Sequence, residues 1–205
     1  MGPRISLHKP STKVIEAFLH SQSKLRFTYA AVGATAAVPP VGYNLDHSRI
    51  KLGSGEQAFL AAKAALESWG QFHLGWVEAR PLEPSIRVGG MVAVVGRSIG
   101  LWWLNACRIV YLIDDELPVT RFGFSYGTMP AHAGSGEERF SVEWDRSDDS
   151  VWYDILAFSK PQGLLARLGY SWLRTVQLRF ARESGAEMAK GVNDQILSAL
   201  KNIGA

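Results

Sequence analysis

The chain has 205 residues, 47% of them apolar and 20% charged, with a formal net charge of +3. That composition excludes bulk disorder and describes one globular unit large enough to need no stapling. The 22 basic and 19 acidic residues are interspersed, without the clustered stripe that phosphate-backbone binding requires, so nucleic acid is not an expected partner.

Cys107 is the only cysteine, which excludes an intrachain disulfide framework and a thiolate zinc site. His8, His20, His47, His73 and His132 are dispersed, and none forms a short-spaced pair, so no metal is expected. The first residues lack a basic-then-apolar leader pattern, and no apolar stretch reaches the length of a bilayer span. A cytoplasmic protein without an integral membrane segment is the expectation.

Residues 1–45 read as an N-terminal extension, with Ser11 placed to cap a short helix running to about Ser21. Val14, Ile15, Phe18 and Leu19 form its apolar stripe. The stretch from Tyr29 to Pro39-Pro40 is rich in small residues and punctuated by proline, which predicts an extended path over the body. Residues 46–205 read as the domain proper. A short strand, Ser48 to Leu52, meets Gly53-Ser54-Gly55, and a helix follows from Glu56 to Trp69. Ser54 and Gln57 stand three apart as in a capping box, and Gly70 is placed to end the helix. A second strand starts at Gly75–Ala79.

Five strand-like runs then follow with little but turns between them: Val88–Arg97, Trp102–Ile113, Val119–Thr128, Glu137–Trp144 and Val151–Phe158. Ser159 and Pro161 predict the start of a long amphipathic helix reaching about Gly191, with Leu165, Leu168, Trp172, Val176 and Phe180 on its inward stripe. An antiparallel meander closed by one long helix predicts an α+β helix-grip fold, a curved sheet wrapped around that helix, with room for an apolar cavity.

Period two sharpens two of the strands. Phe122, Phe124, Tyr126 and Thr128 share one face, and Glu138, Phe140, Val142 and Trp144 share a face of the next strand. If these faces point inward, Glu138 joins them as a carboxylate at the mouth of the enclosed space, where it would be a candidate functional group. The alternative is a strand-end residue that reaches solvent. His132, in the loop Pro130–Gly134 between these two strands, either sits on the surface or joins Glu138 and Tyr126 as a trio suited to acid–base work.

Two motifs invite other chemistry. Gly53-Ser54-Gly55-Glu56-Gln57-Ala58 fits the G-x-G-x-x-A dinucleotide fingerprint, with Glu78 near the place of a ribose-binding acid, and so raises a dinucleotide-dependent oxidoreductase. Against it, the chain continues with antiparallel strands instead of further strand–helix units. Gly123-Phe124-Ser125-Tyr126-Gly127 matches G-x-S-x-G, but no helix follows the serine and only His132 lies downstream, so the nucleophile-elbow context is missing.

The blocks Phe122–Pro130, Gly136–Phe140, Val142-Glu143-Trp144, Val151-Trp152-Tyr153, Ala157–Pro161 and Leu168-Gly169-Tyr170 occur together with Gln177, Phe180-Ala181-Arg182 and an upstream Gly53-Ser54-Gly55. In that order they resemble the DUF1990 family, also called uncharacterised protein family 0548, over roughly residues 45–192. The resemblance implies an element order similar to the helix-grip Bet v 1 and START-like superfamily, whose members enclose lipids, sterols, polyketides or other apolar molecules and include some enzymes. It carries over no catalytic residue and no cofactor.

Two functions are therefore expected. The first is binding of an apolar or amphipathic, lipid-like small molecule between sheet and last helix, lined by Trp102, Phe122, Phe124, Tyr126, Glu138, Phe140, Trp144, Trp172 and Val176. The second is an enzyme on the same scaffold, with Glu138, His132 and Tyr126 acting on an apolar substrate.

Overall fold

The computed structural model describes residues 4–116, 118–163 and 168–203. Eight strands form one antiparallel sheet: β1 (Arg4–Ser6), β2 (Asn44–Ser54), β3 (Val77–Pro81), β4 (Met91–Ser98), β5 (Leu101–Asp115), β6 (Val119–Thr128), β7 (Gly134–Asp145) and β8 (Ser150–Pro161). Their order is β2-β8-β7-β6-β5-β4-β3, with β1 beside β5. Among the described residues they are accompanied by α1 (Thr12–Gln22), α2 (Gly55–Glu67) and α3 (Tyr170–Ile203). The sheet curves around α3, which is the helix-grip arrangement.

Alternation along the strands divides the core in two. One face carries Cys107, Ile109, Phe124, Tyr126, Phe140, Val142, Tyr153 and Ile155 against α2 and α3. The other carries Met91, Ala93, Val95, Leu104 and Ala106 against Ile15, Phe18 and Leu19 of α1. Helix α2 packs through Ala58, Ala61, Ala62, Ala65, Phe59 and Leu66, whereas Leu60 is exposed. The small alanines let it lie close to the sheet, and Gly53 continues the fit, since a Cβ there would stand 3.1 Å from the Ala58 methyl.

Several boundaries differ from expectation, each for a local reason. Ser54 and Ser11 occupy cap positions but make no side-chain capping bond. At α2 the first turn is tied by Gly55 N–H donating to the Asp149 carbonyl at 2.9 Å. Trp69, not Gly70, takes the left-handed conformation after α2, at φ 60°. Gly70 is needed for space, because a Cβ there would approach the Ala65 carbonyl oxygen to 2.9 Å. Pro161 ends β8, paired with Gly134, instead of opening α3. Ser159 is a strand residue, and α3 continues through Gly191 to Ile203. Leu165 of the expected inward stripe lies outside the described residues, and Leu168 is exposed.

Both motif matches have structural explanations. β2 pairs antiparallel with β8, and every registered pairing among the described residues is antiparallel, so the doubly wound setting of a dinucleotide fingerprint is absent. β6 runs without a turn through Gly123–Gly127. A Cβ on Gly123 would meet the Phe140 carbonyl oxygen at 2.2 Å, and one on Gly127 would meet the Tyr29 hydroxyl at 2.0 Å. Both glycines serve close approach, of β7 and of the N-terminal segment respectively.

Because backbone cannot yield as a flexible side chain does, Gly123→Ala must part β6 from β7 at the middle of the sheet. Urea denaturation is expected to show a loss of at least about 2 kcal/mol relative to the parent chain. A loss within error of zero would show that the sheet accommodates the methyl.

Candidate functional site

The two helices cover the inner face of the sheet unequally. α2 fills the half of the groove over Phe124, Val142 and Trp144, and the distal part of α3 is buried there through Ser184, Gly185, Met188 and Val192. The first turns of α3 lie over the other half, where α2 does not reach. A cavity of about 610 Å³ remains beneath them. Its wall includes Tyr126, Glu138 and Ile155 from the sheet, Phe72 and Trp76 below α2, and Val176, Phe180 and Ala181 from α3.

Ties at the rim hold α3 over this space. Arg174 grips Asp46 with both guanidinium nitrogens, at 2.5 and 2.7 Å, and Gln177 donates to Ser159 Oγ at 3.1 Å. The Trp172 ring stands against Trp103 with centroids 5.2 Å apart. Trp76 Nε1 donates to Glu183 at 2.6 Å, and Tyr153 and Ser184 share a hydrogen bond of 2.9 Å.

Among the candidate residues, Tyr126, Glu138, His132 and Val176 share the wall of this one cavity. Phe140 lies behind it in the aromatic core, 5.3 Å from the Tyr126 ring and 6.3 Å from Phe180. Phe124 packs on Trp69, Trp144 on Phe59, and Phe122 under Lys63, all in the half that α2 fills. Trp102 is on the opposite face with the α1 cluster, under Lys9 and Arg97, because the β5 alternation turns its neighbour Trp103 inward. Trp172 closes the rim and does not line the interior.

Glu138 is the ionisable group of greatest interest. It lines the cavity, and burial pushes its pKa up to about 7. The Tyr126 hydroxyl, which donates to Oε2 at 2.8 Å, opposes that rise, and the charge of Asp46 adds to it. The same burial and the adjacent Glu138 push Tyr126 up, so the phenol stays protonated and acts as donor. Burial lowers His132 to about 4, leaving a neutral imidazole at neutral pH. Asn105, also in the wall, accepts a hydrogen bond from Ala133 N–H at 3.1 Å. No local signal in the Trp102–Val110 run marked it.

Glu137, next to Glu138 on β7, points to the other face of the sheet, and no local pattern marks a partner for it. It is buried at 2% exposure and accepts from Tyr29 Oη at 2.7 Å, Gly33 N at 2.7 Å, Thr35 N at 3.0 Å and Thr35 Oγ1 at 2.5 Å. Arg139 donates to the Thr35 carbonyl at 3.0 Å and pairs with buried Asp154 at 2.8 Å, which His47 also meets at 2.6 Å. This network fastens residues 29–35 across the sheet. Among the described residues no cluster of three His, Cys, Asp or Glu side chains is arranged to hold a metal, and no helix is long and apolar enough to cross a membrane.

Comparison with known proteins agrees with this architecture. The model of a family described as a domain of unknown function, DUF1990, matches residues 28–187. A UPF0548 protein of Dictyostelium discoideum is 34% identical over 202 residues, covering 90% of this chain and 94% of that one. A UPF0548 protein of Deinococcus radiodurans is 31% identical, covering 86% and 92%. The chain belongs to this family. Among solved structures, the hypothetical protein jhp0584 of Helicobacter pylori matches with a TM-score of 0.51 at 10% identity, over 81% of this chain and 98% of that one. Human STARD10 matches at 0.48 and 9% identity, over 96% and 85%.

Since the folded pKa of Glu138 lies above that of an exposed glutamate, the stability it supports is complete below about pH 4.5 and is lost as pH rises through about 7. Glu138→Gln keeps the shape and removes the titration. The variant is expected to gain on the order of 2 kcal/mol over the parent at pH 8.5 relative to the difference at pH 5. Chemical denaturation at the two pH values measures this, and a pH-independent difference would mean that Glu138 is solvated.

Proposed function

We propose that the protein binds an apolar or amphipathic small molecule, lipid-like in character, in the cavity between the sheet and the first half of α3. The observation that carries this reading is the cavity itself: about 610 Å³, with aromatic and aliphatic side chains such as Ile50, Phe72, Trp76, Val176 and Phe180 in its wall beside a substantial polar share that includes Asp46, Arg49 and Glu138. A void of that size forfeits the dispersion contacts that packing would supply, so an apolar occupant stabilises the fold as well as itself. The helix-grip fold is compatible with such a role but does not by itself argue for it.

Val176 lines the cavity from α3, and an indole in its place would occupy the void. Titration with 1-aminoanthracene, an uncharged fluorescent probe, is expected to saturate at one site in the parent chain. In Val176→Trp the affinity should fall at least about tenfold, as expected from overpacking the site. A signal that never saturates, or unchanged affinity in the variant, would sink the reading.

A second reading, catalysis on the bound molecule, is supported by one specific observation. Glu138, with its pKa near 7 and the Tyr126 hydroxyl at 2.8 Å, is poised to take or give a proton at neutral pH. Under this reading Glu138→Gln still binds the probe yet abolishes conversion or deuterium uptake across a panel of apolar ketones and esters in D₂O, followed by mass spectrometry. Equal behaviour of parent and variant across the panel would dispose of it.

A further inference from the structure

At the β6–β7 turn, two successive backbone amides each fix one side chain of the cavity wall. Ala133 N–H donates to Asn105 Oδ1 at 3.1 Å, and Gly134 N–H donates to His132 Nδ1 at 2.8 Å. A backbone amide always carries its hydrogen, so Nδ1 must be the acceptor of the ring. The proton of the neutral imidazole then sits on Nε2. The Gly134 carbonyl also stands 3.1 Å from Nδ1, but that nitrogen has no proton left to give it. The same logic orients the amide: Oδ1 is the atom that accepts from Ala133, and Nδ2 with its two hydrogens is the other end.

Both residues line the cavity. Among the described residues, neither His132 Nε2 nor Asn105 Nδ2 has a hydrogen-bond partner, while the opposite end of each side chain is held by backbone. The wall thus carries N–H donors whose direction the protein fixes before any ligand arrives. A purely apolar occupant would leave them dry and unpaired, which is unfavourable.

We propose that the cavity selects an apolar molecule bearing an uncharged carbonyl group, as in a ketone, ester or amide, whose oxygen accepts from His132 Nε2–H and Asn105 Nδ2–H. This deepens the cavity-binding reading and rests on it. An ionised carboxylate is disfavoured, because both donors are neutral, Glu138 and Asp46 share the wall, and the nearby cations already have carboxylate partners: Arg174 with Asp46, Arg49 with Glu143 at 3.0 Å and Arg182 with Glu183 at 3.7 Å. An alcohol brings a hydrogen of its own that needs a further acceptor. Burial keeps His132 uncharged at neutral pH, in agreement with a donor that recognises a dipole instead of an anion.

Decane, 2-decanone and decanoate, titrated at pH 8 against tryptophan fluorescence with Trp76 in the wall as reporter, separate these terms. In the parent chain the ketone is expected to bind about tenfold tighter than decane, the gain from pairing neutral donors. Asn105→Asp keeps the acceptor for Ala133 N–H and reverses the free end, and His132→Phe keeps a ring without the Nε2 donor. Each is expected to weaken the ketone about fivefold relative to decane, and His132→Phe, which removes a dry donor, binds decane at least as tightly as the parent does, which also reports that the cavity is intact. A ketone no tighter than decane, or a decanoate tighter than the ketone, overturns the carbonyl assignment and leaves the cavity reading standing. If decane and ketone both fail to bind, the cavity reading falls and this inference falls with it.

Discussion

The pleat of β7 sends two adjacent carboxyl groups to opposite faces of the sheet, and most of the molecule's organisation answers to that placement. A buried carboxylate has to be given donors or else made neutral. On the outer face Glu137 is given donors, four of them from residues 29–35. On the inner face Glu138 receives only the Tyr126 hydroxyl and is driven toward neutrality. One strand therefore anchors the N-terminal segment on one side and supplies the reactive-looking group of the cavity on the other.

The cavity follows from a mismatch in helix lengths. α2 has 13 residues and α3 has 34, so α3 overhangs its neighbour by several turns. Where the two helices run together, small side chains and Met188 and Val192 fill the groove. Where α3 runs alone, Phe180 reaches the aromatic core and the remaining ties are at the rim: an ion pair at Asp46, a hydrogen bond from Gln177 to Ser159 and a tryptophan pair at Trp103. The rim ties hold the helix at a distance, and the space beneath persists.

Much of this was legible in the chain, and the parts that were not have physical reasons. The meander strands and the shared aromatic faces of β6 and β7 follow directly from period two, but period two alone leaves Glu138 either turned inward with them or reaching solvent at the strand end. Trp102 was misassigned because Trp102-Trp103 offers an indole to either face, and only the register with β4 and β6 decides which turns inward. β1 escaped notice because Arg4–Ser6 is three residues long, too short for any periodicity. The start of α3 was set too early because Ser159 and Pro161 carry the local chemistry of a helix start, while pairing of β8 with β7 and β2 extends the strand to its end. Glu137 and Asn105 have partners about 100 and 28 residues away in sequence, and no local pattern encodes such encounters.

The polar groups of the cavity wall share one property that bears on what it can hold. His132 and Asn105 present fixed, neutral dipoles, and burial raises the pKa of the Glu138 carboxyl to about 7. The permanent cations in the wall and at its rim are paired: Arg174 with Asp46, Arg49 with Glu143 at 3.0 Å and Arg182 with Glu183 at 3.7 Å. What an occupant meets beneath α3 then depends on Glu138, whose carboxyl group accepts from the Tyr126 hydroxyl. Its protonation state sets whether an occupant meets an acid or a base, and the Tyr126 hydroxyl, by favouring the ionised form, brings that crossover down into the range where cells operate.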